Sequence, residues 1–352
     1  MAKPLNILIF GASYGSLLAT KLALAGHNTT LVCLPSEAEL INAEGTIVRM
    51  PVKGQEKLVE IASRTLPGHV SATTTGEADP SKYDLVALAM QEPQYRVPAV
   101  RDLLEKVGRA KLPAMSIMNM PPLTFLRRMP GLDTEKLRDC YADSTVWDLL
   151  DPSLVTLCSP DPQAFRPPEE KVNVLQVTLP TNFKAARFEK DEHTALLRRL
   201  QDDIEAVRFD GAELSVKLKV HDSIFVPTAK WAMLLTGNYR CIQRSGPRAI
   251  VEAVHSDIEQ SRAVYDWVKD VCLKLGAAPE DLVPFEKYAS AAKGLLKPSS
   301  AARALFGGAP YIERVDRLVQ KIAAQFGMSN PIVDETVAVV DAQLELNRQK
   351  AA

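Results

Sequence analysis

Apolar positions in the first two thirds of the chain cluster into short unbroken runs, whereas in the last third they recur at helical spacing. Residues 5–10 are nearly continuous apolar sequence halted by a glycine, which predicts a strand buried on both faces of a parallel sheet. From 15 to 25 the spacing turns helical, with Leu17, Leu18, Leu22 and Leu24, and Gly26 is the expected stop. Residues 29–34 and 85–90 read as further strands, 97–107 as a helix, and 114–118 as an apolar strand running into Asn119-Met120-Pro121-Pro122. Strand and helix alternate, so the expected fold opens as a doubly wound α/β domain of the Rossmann type. Residues 154–158, 174–179 and 214–218 are expected to close the same sheet around a polar helix at 191–207. Beyond Val220 every well-patterned segment is helical: 225–241, 250–275, 284–292, 312–326 and 333–346. The expected organisation is a Rossmann-like domain over residues 1–219 and an all-α domain over 220–352, with the boundary near 215–222.

Composition narrows the partners. Forty-two basic and 43 acidic side chains nearly cancel, without the basic stripe that a phosphate backbone needs, so nucleic acid is not expected. No apolar run approaches the ~20 residues of a membrane span, and residues 1–13 lack the pattern of a signal peptide. The five cysteines are scattered, with no C-x-x-C pair, and the five histidines show no metal-ligand spacing. A cytoplasmic protein without a bound metal is the expectation.

The strand at 5–10 turns straight into a helix through Gly11-Ala12-Ser13-Tyr14-Gly15-Ser16. A helix N-terminus offers unpaired N–H groups and the positive end of its dipole, which suits a pyrophosphate, and glycine permits close approach. The spacing departs from G-x-G-x-x-G. Either Gly11, Ser13 and Ser16 take the three glycine positions, or the turn is one residue short and Gly15 is the helix-facing glycine. The second is preferred, because the stretch from Gly15 to Gly26-His27 has the length of the helix after such a turn. At the end of the second strand, Val32-Cys33-Leu34-Pro35-Ser36-Glu37 carries neither an acid nor a base at the tip; Ser36 is the candidate there for a phosphate and Glu37 for a ribose, so NAD and NADP stay open.

In this context the chain resembles the ketopantoate reductases and the wider group of dehydrogenases whose helical domain is like that of 6-phosphogluconate dehydrogenase. The carriers are Gly15-Ser16-Leu17-Leu18-Ala19 with Gly26-His27, the strand 84–90, Asn119, Lys230 with Asn238, Ser299-Ser300 and the helices around Gly327. The resemblance implies an NAD(P)H-dependent oxidoreductase that reduces a small 2-oxo acid or related carbonyl compound to the 2-hydroxy product, with NADP slightly favoured. It implies a homodimer formed through the helical domain, which also takes the substrate. Lys230 matches the general acid for the carbonyl being reduced, where an ammonium stabilises and protonates the growing alkoxide; packing against Trp231 and Met233 is expected to lower its pKa. Asn238, Ser299 and Ser300 match substrate-binding positions, although the two serines also suit the N-cap of a helix at 301–306. Gly11, Ala12, Ser13, Tyr14, Gly15, Ser16, Ser36, Met90, Gln91 and Asn119 are the expected cofactor contacts.

Several positions depart from the family. Its catalytic Glu falls on Tyr311 or Ile312 by direct counting, and Glu313 is chosen as the nearest carboxylate. Leu34 stands where the family grips the NADP phosphate with Arg, Gln91 where it has a cofactor-side Lys, and Leu234 where it has a second Asn. These losses argue for a substrate other than ketopantoate. Two alternatives remain: opine-type reductive condensation of an amine with a 2-oxo acid, in which His221 or His255 would be the base, and a dinucleotide-binding sensor without catalysis.

Overall fold

The computed structural model describes residues 3–52, 55 and 57–351. Its contacts divide the chain into two units. The first is the chain up to Met90 together with Gln94–Phe125 and Val146–Asp222; the second is Gln91–Pro93, Leu126–Thr145 and the chain from Ser223 onward.

The strands of the first unit are β1 (Asn6–Phe10), β2 (Asn28–Val32), β3 (Ile47–Met50), β4 (Val59–Ala62), β5 (Val70–Thr73), β6 (Leu85–Leu88), β7 (Ala114–Ile117), β8 (Val155–Ser159), β9 (Gln163–Phe165), β10 (Val174–Leu179), β11 (Phe183–Ala186), a short ribbon of β12 (Arg208–Phe209) and β13 (Ala212–Glu213), and β14 (Leu218–His221). Eight form one sheet in the order β14-β11-β8-β7-β6-β1-β2-β5, and four form a second, β4-β3-β10-β9. Six neighbours in the large sheet, from β8 to β5, run parallel, while β11 lies antiparallel to β8. β6, β7 and β8 are buried at every residue, as expected of mainly apolar strands covered on both faces; the buried Ser116 donates to Thr156 O at 2.8 Å, and Thr156 to Ala186 O at 2.7 Å. The helices are α1 (Gly15–Leu24), α2 (Pro35–Glu44), α3 (Pro98–Arg109), the single turn α4 (Leu123–Leu126) and α5 (Asp191–Ala206). This is the Rossmann-type α/β architecture expected from the sequence.

The second sheet explains the burial of α1. A helix on an open sheet shows a polar face to water, yet every residue from Gly15 to Ala23 is buried. Val48 and Met50 of β3, with Leu175 and Val177 of β10, join Leu17, Leu18 and Leu22 in one apolar cluster, so the helix is covered on the side away from the large sheet as well. α1 ends as the sequence implies: Gly26 N donates to Ala23 O and His27 N to Leu22 O, both at 3.0 Å, which satisfies the last carbonyls.

Two expectations for the middle of the chain need correction. β10 belongs to the second sheet, not the large one. Its Leu175 and Val177 alternate with Gln176 and Thr178, the period of a one-sided strand. The stretch 214–218 is not a strand: Leu214 makes an isolated bridge with Val52, and β14 begins at Leu218. The large sheet is instead closed by β8, β11 and β14.

The second unit is helical, with α6 (Lys230–Met233), α7 (Ile250–His255), α8 (Ile258–Leu275), α9 (Phe285–Ala292), α10 (Ser300–Phe306), α11 (Val315–Gln325) and α12 (Pro331–Ala351). Along α8, Ser261, Val264, Tyr265, Val268, Val271, Cys272 and Leu275 form the buried stripe. The expected helix 250–275 is broken, because Asp257 turns out of helical geometry and caps α8 by accepting from Gln260 N at 2.9 Å. The expected helix 225–241 is a 3₁₀ turn at Val226–Ala229, then α6, then a π turn at Leu234–Asn238. The chain at 312–314 forms no regular element, and α11 starts only at Val315. Among the described residues no helix is long and apolar enough to cross a membrane.

Candidate functional site

Because β2, β1, β6 and β7 are parallel neighbours, the segments that leave their carboxyl ends lie along one edge of the large sheet. Those segments are the start of α2, the turn at residues 11–16, Met90 and Asn119. The chain order reverses at β1, with β2 on one side and β6 on the other, and such a switch point is where open α/β sheets bind ligands. Gly11 has φ +93°, and a Cβ there would stand 2.7 Å from the Met90 side chain and 3.2 Å from the Ala89 carbonyl. Any side chain would therefore strain the backbone and collide with the segment that leaves β6. A Cβ on Gly15, the first residue of α1, would meet Ile9 at 2.7 Å. Gly15 is thus the glycine that lets helix and strand approach, which supports the shorter of the two turn placements. Ser16 turns its hydroxyl back to Ser13 O at 2.8 Å, and Tyr14 reaches Pro162 O at 2.7 Å, so both residues hold the turn in shape. Ala12 is buried and Ser13 exposed.

At the end of β2, Leu34 is 71% exposed and Ser36 is also exposed. Glu37, in the first turn of α2, is ion-paired to Arg166, the residue after β9. Arg166 carries no sequence signal of its own, because only the second sheet brings it to α2.

In the second unit, Lys230 is half-buried and opens α6. Asn238 closes the π turn, in which Tyr239 N donates to Leu234 O at 2.9 Å, five residues back. In a regular α-helix eight residues overshoot two turns by about 80°. The wider π turn winds less per residue and reduces that offset, bringing Asn238 nearer to the face of Lys230. Ser299 is buried: it donates to Asn238 O at 2.7 Å and accepts from Ala302 N at 3.1 Å as the cap of α10. Its hydroxyl positions Asn238 and the helix, while Ser300 is exposed.

Glu313 is 7% exposed, and its carboxylate accepts from Glu92 N at 3.3 Å. Glu92, itself buried, accepts from Ala142 N with both carboxylate oxygens at 3.2 and 3.3 Å. Tyr239 donates to Glu313 O and accepts from Val315 N at 3.0 Å, tying the π turn to the start of α11. Burial first of all, then the charges of Asp316 and Glu313, hold the Tyr239 phenol well above its ordinary pKa, so it stays a neutral donor. Neither Glu92 nor Tyr239 stands out in the sequence; a Glu directly after the strand end at Met90-Gln91 is the available signal for the first. Tyr311, the competing position for the family's Glu, lies under the Arg348 guanidinium, 5.2 Å from its ring centroid.

Two of the histidines serve structure. His27 accepts from Leu5 N through Nδ1 and pairs with Asp203 through Nε2, and burial lowers its pKa. His255 Nε2 is 2.9 Å from Ala289 O. His221 ends β14, opposite Ala186 of β11.

No protein-family model and no curated protein matches the sequence. Solved structures do match. A protein of Ralstonia solanacearum MolK2 assigned as a ketopantoate reductase aligns with a TM-score of 0.69 at 14% identity, over 98% of this chain and 99% of that one. For 2-dehydropantoate 2-reductase of Methylococcus capsulatus the TM-score is 0.66 at 16% identity, over 97% of each chain. The chain has the ketopantoate reductase fold. D-mandelate dehydrogenase, solved with NADH and anilino(oxo)acetate, also aligns, with a TM-score of 0.65 at 13% identity over 97% of this chain and 99% of that one.

Proposed function

We propose that the chain is an NAD(P)H-dependent reductase that converts a small 2-oxo acid or related carbonyl compound to the 2-hydroxy product. The observation that carries this reading is the glycine turn at the switch point of the large sheet, where Gly11 takes φ +93° and packs too closely on Met90 to carry a side chain. The backbone of residues 11–16 fits a pyrophosphate, with Ser36 toward the adenosine end and Met90, Gln91 and Asn119 toward the nicotinamide end. The bound dinucleotide supplies the hydride.

The remaining roles fall to the second unit. Lys230 donates the proton to the carbonyl oxygen as negative charge builds there. Asn238 and Ser300 orient the substrate, Ser299 holds Asn238, and Glu313 assists from the irregular segment before α11. A cytoplasmic homodimer joined through the helical unit completes the proposal.

The test is oxidation of NADH and NADPH against a panel of 2-oxo acids, with mandelate-like aromatic acids included. Lys230→Ala is expected to lower turnover by ~10² or more while dinucleotide binding survives. Unchanged turnover would remove Lys230 from the mechanism. Tight binding without oxidation of any compound in the panel would favour a dinucleotide sensor.

A further inference from the structure

The choice between NAD and NADP is made in a doubly wound sheet at the end of the second strand, where a carboxylate accepts from the ribose 2′-hydroxyl or a cation receives the 2′-phosphate. Leu34, beside the strand end, is uncharged and points into solvent. The charged groups come from two other places. Glu37 lies in the first turn of α2, where the helix dipole favours a negative charge. Arg166 arrives from the second sheet, 129 residues away in sequence, and its guanidinium donates to a Glu37 carboxylate oxygen. The two side chains keep only 27% and 13% of their exposure, Arg166 and Glu37 respectively. Both stand beside Cys33, which directly follows β2: burial pushes its thiol up to about 12, with the Glu37 charge adding to the effect and the Arg166 charge opposing it.

We propose that Glu37 is the acceptor for the adenosine ribose hydroxyls, held in place by Arg166, and that the site therefore selects NADH over NADPH; this role rests on the first unit being the dinucleotide site of the proposed reductase. A carboxylate has about four lone-pair sites. Arg166 engages one of the Glu37 oxygens, which leaves acceptor capacity for a ribose diol. A 2′-phosphate brings about −1.5 to −2 charges. It would meet the Glu37 carboxylate and compete for a guanidinium that is already paired. Separating the pair to admit it would strand a largely buried carboxylate, which is costly. Arg166 is thus a positioning residue: alone it would attract a phosphate, and paired it presents Glu37 to a neutral sugar.

The experiment is a paired titration of NADH and NADPH by nicotinamide fluorescence on wild type, Glu37→Ser, Glu37→Gln and the double variant Glu37→Ser/Arg166→Ala. Wild type is expected to bind NADH at least about tenfold more tightly, the scale of one hydrogen bond to a charged group. Glu37→Ser is expected to weaken NADH by a similar factor and to tighten NADPH, because Arg166 is released. Adding Arg166→Ala should abolish the NADPH gain, a reversal that a merely structural role for the arginine would not produce. Glu37→Gln keeps the shape without the charge and shifts the ratio in the same direction if the serine variant fails to fold. A wild-type preference for NADPH, equal affinities, or a ratio unmoved in both single variants would overturn the proposal. Wild-type protein that binds neither dinucleotide would overturn the dinucleotide reading itself, which is a separate result.

Discussion

Lys21 shows how one residue's chemistry depends on what covers it. It belongs to the side of α1 that water reaches in an open sheet, yet it is 1% exposed and its Nζ donates to Ser215 O at 2.9 Å. Burial, helped by the charge of Lys217, lowers its pKa from 10.5 to about 7. Between about pH 7 and 10 the folded chain then holds fewer protons at this site than the unfolded chain, so stability rises with pH across that window. Below about pH 7 both states are protonated and the penalty of burying the charge is present in full. At about 1.4 kcal/mol per unit the penalty is several kcal/mol, partly offset by the bond to Ser215. Lys21→Met is expected to be more stable than wild type by about 1–3 kcal/mol near pH 7, with the difference narrowing toward pH 10. Urea unfolding of both proteins at each pH checks this; a constant difference would show that Lys21 does not titrate as described. The glycines, by contrast, were legible as residues. Gly11 and Gly15 stood between an apolar run and a helical period, and their roles depend on neighbours only a strand or a turn away.

At the scale of elements, the buried strands and the long helices were legible because apolar periodicity reports burial directly. The second sheet was not assembled from sequence. β3, β4 and β9 are short and partly polar, and the alternation of β10 with Gln176 and Thr178 is compatible with either sheet. Period shows that a strand has one wet face; it does not show which sheet the strand joins. The π turn at Leu234–Asn238 is likewise invisible in composition. It is held from outside by Tyr239, whose hydroxyl serves Glu313 O and Val315 N. Tyr239→Phe leaves that buried carbonyl and N–H without this partner and is expected to cost about 1–3 kcal/mol. Chemical denaturation measures the loss. An unchanged midpoint would mean that the turn persists without the phenol.

For the whole molecule, the expected consequence of the fold is linkage between dinucleotide and stability. A ligand that binds only the folded state stabilises it by about 2.7 kcal/mol at one hundred times its Kd. NADH alone, without any carbonyl compound, is therefore expected to raise the apparent Tm by several degrees. A thermal melt with and without NADH tests this, and no shift at saturating concentration would contradict the proposed dinucleotide site.

Sequence by itself determined much of the local architecture: the buried strands β1, β2, β6, β7 and β8, where α1 starts and stops, and where the glycine turn sits. Those features arise from torsional preference, capping and burial patterns acting over a few residues. Only tertiary structure decided the electrostatic partners, because they are joined across 129 residues for Arg166 and Glu37, 194 for Lys21 and Ser215, and 221 for Glu92 and Glu313. No local preference encodes such a meeting. It arises from which layers pack together: here the second sheet covers α1 and delivers Arg166 to the end of β2, while the segment at Ser215 meets Lys21.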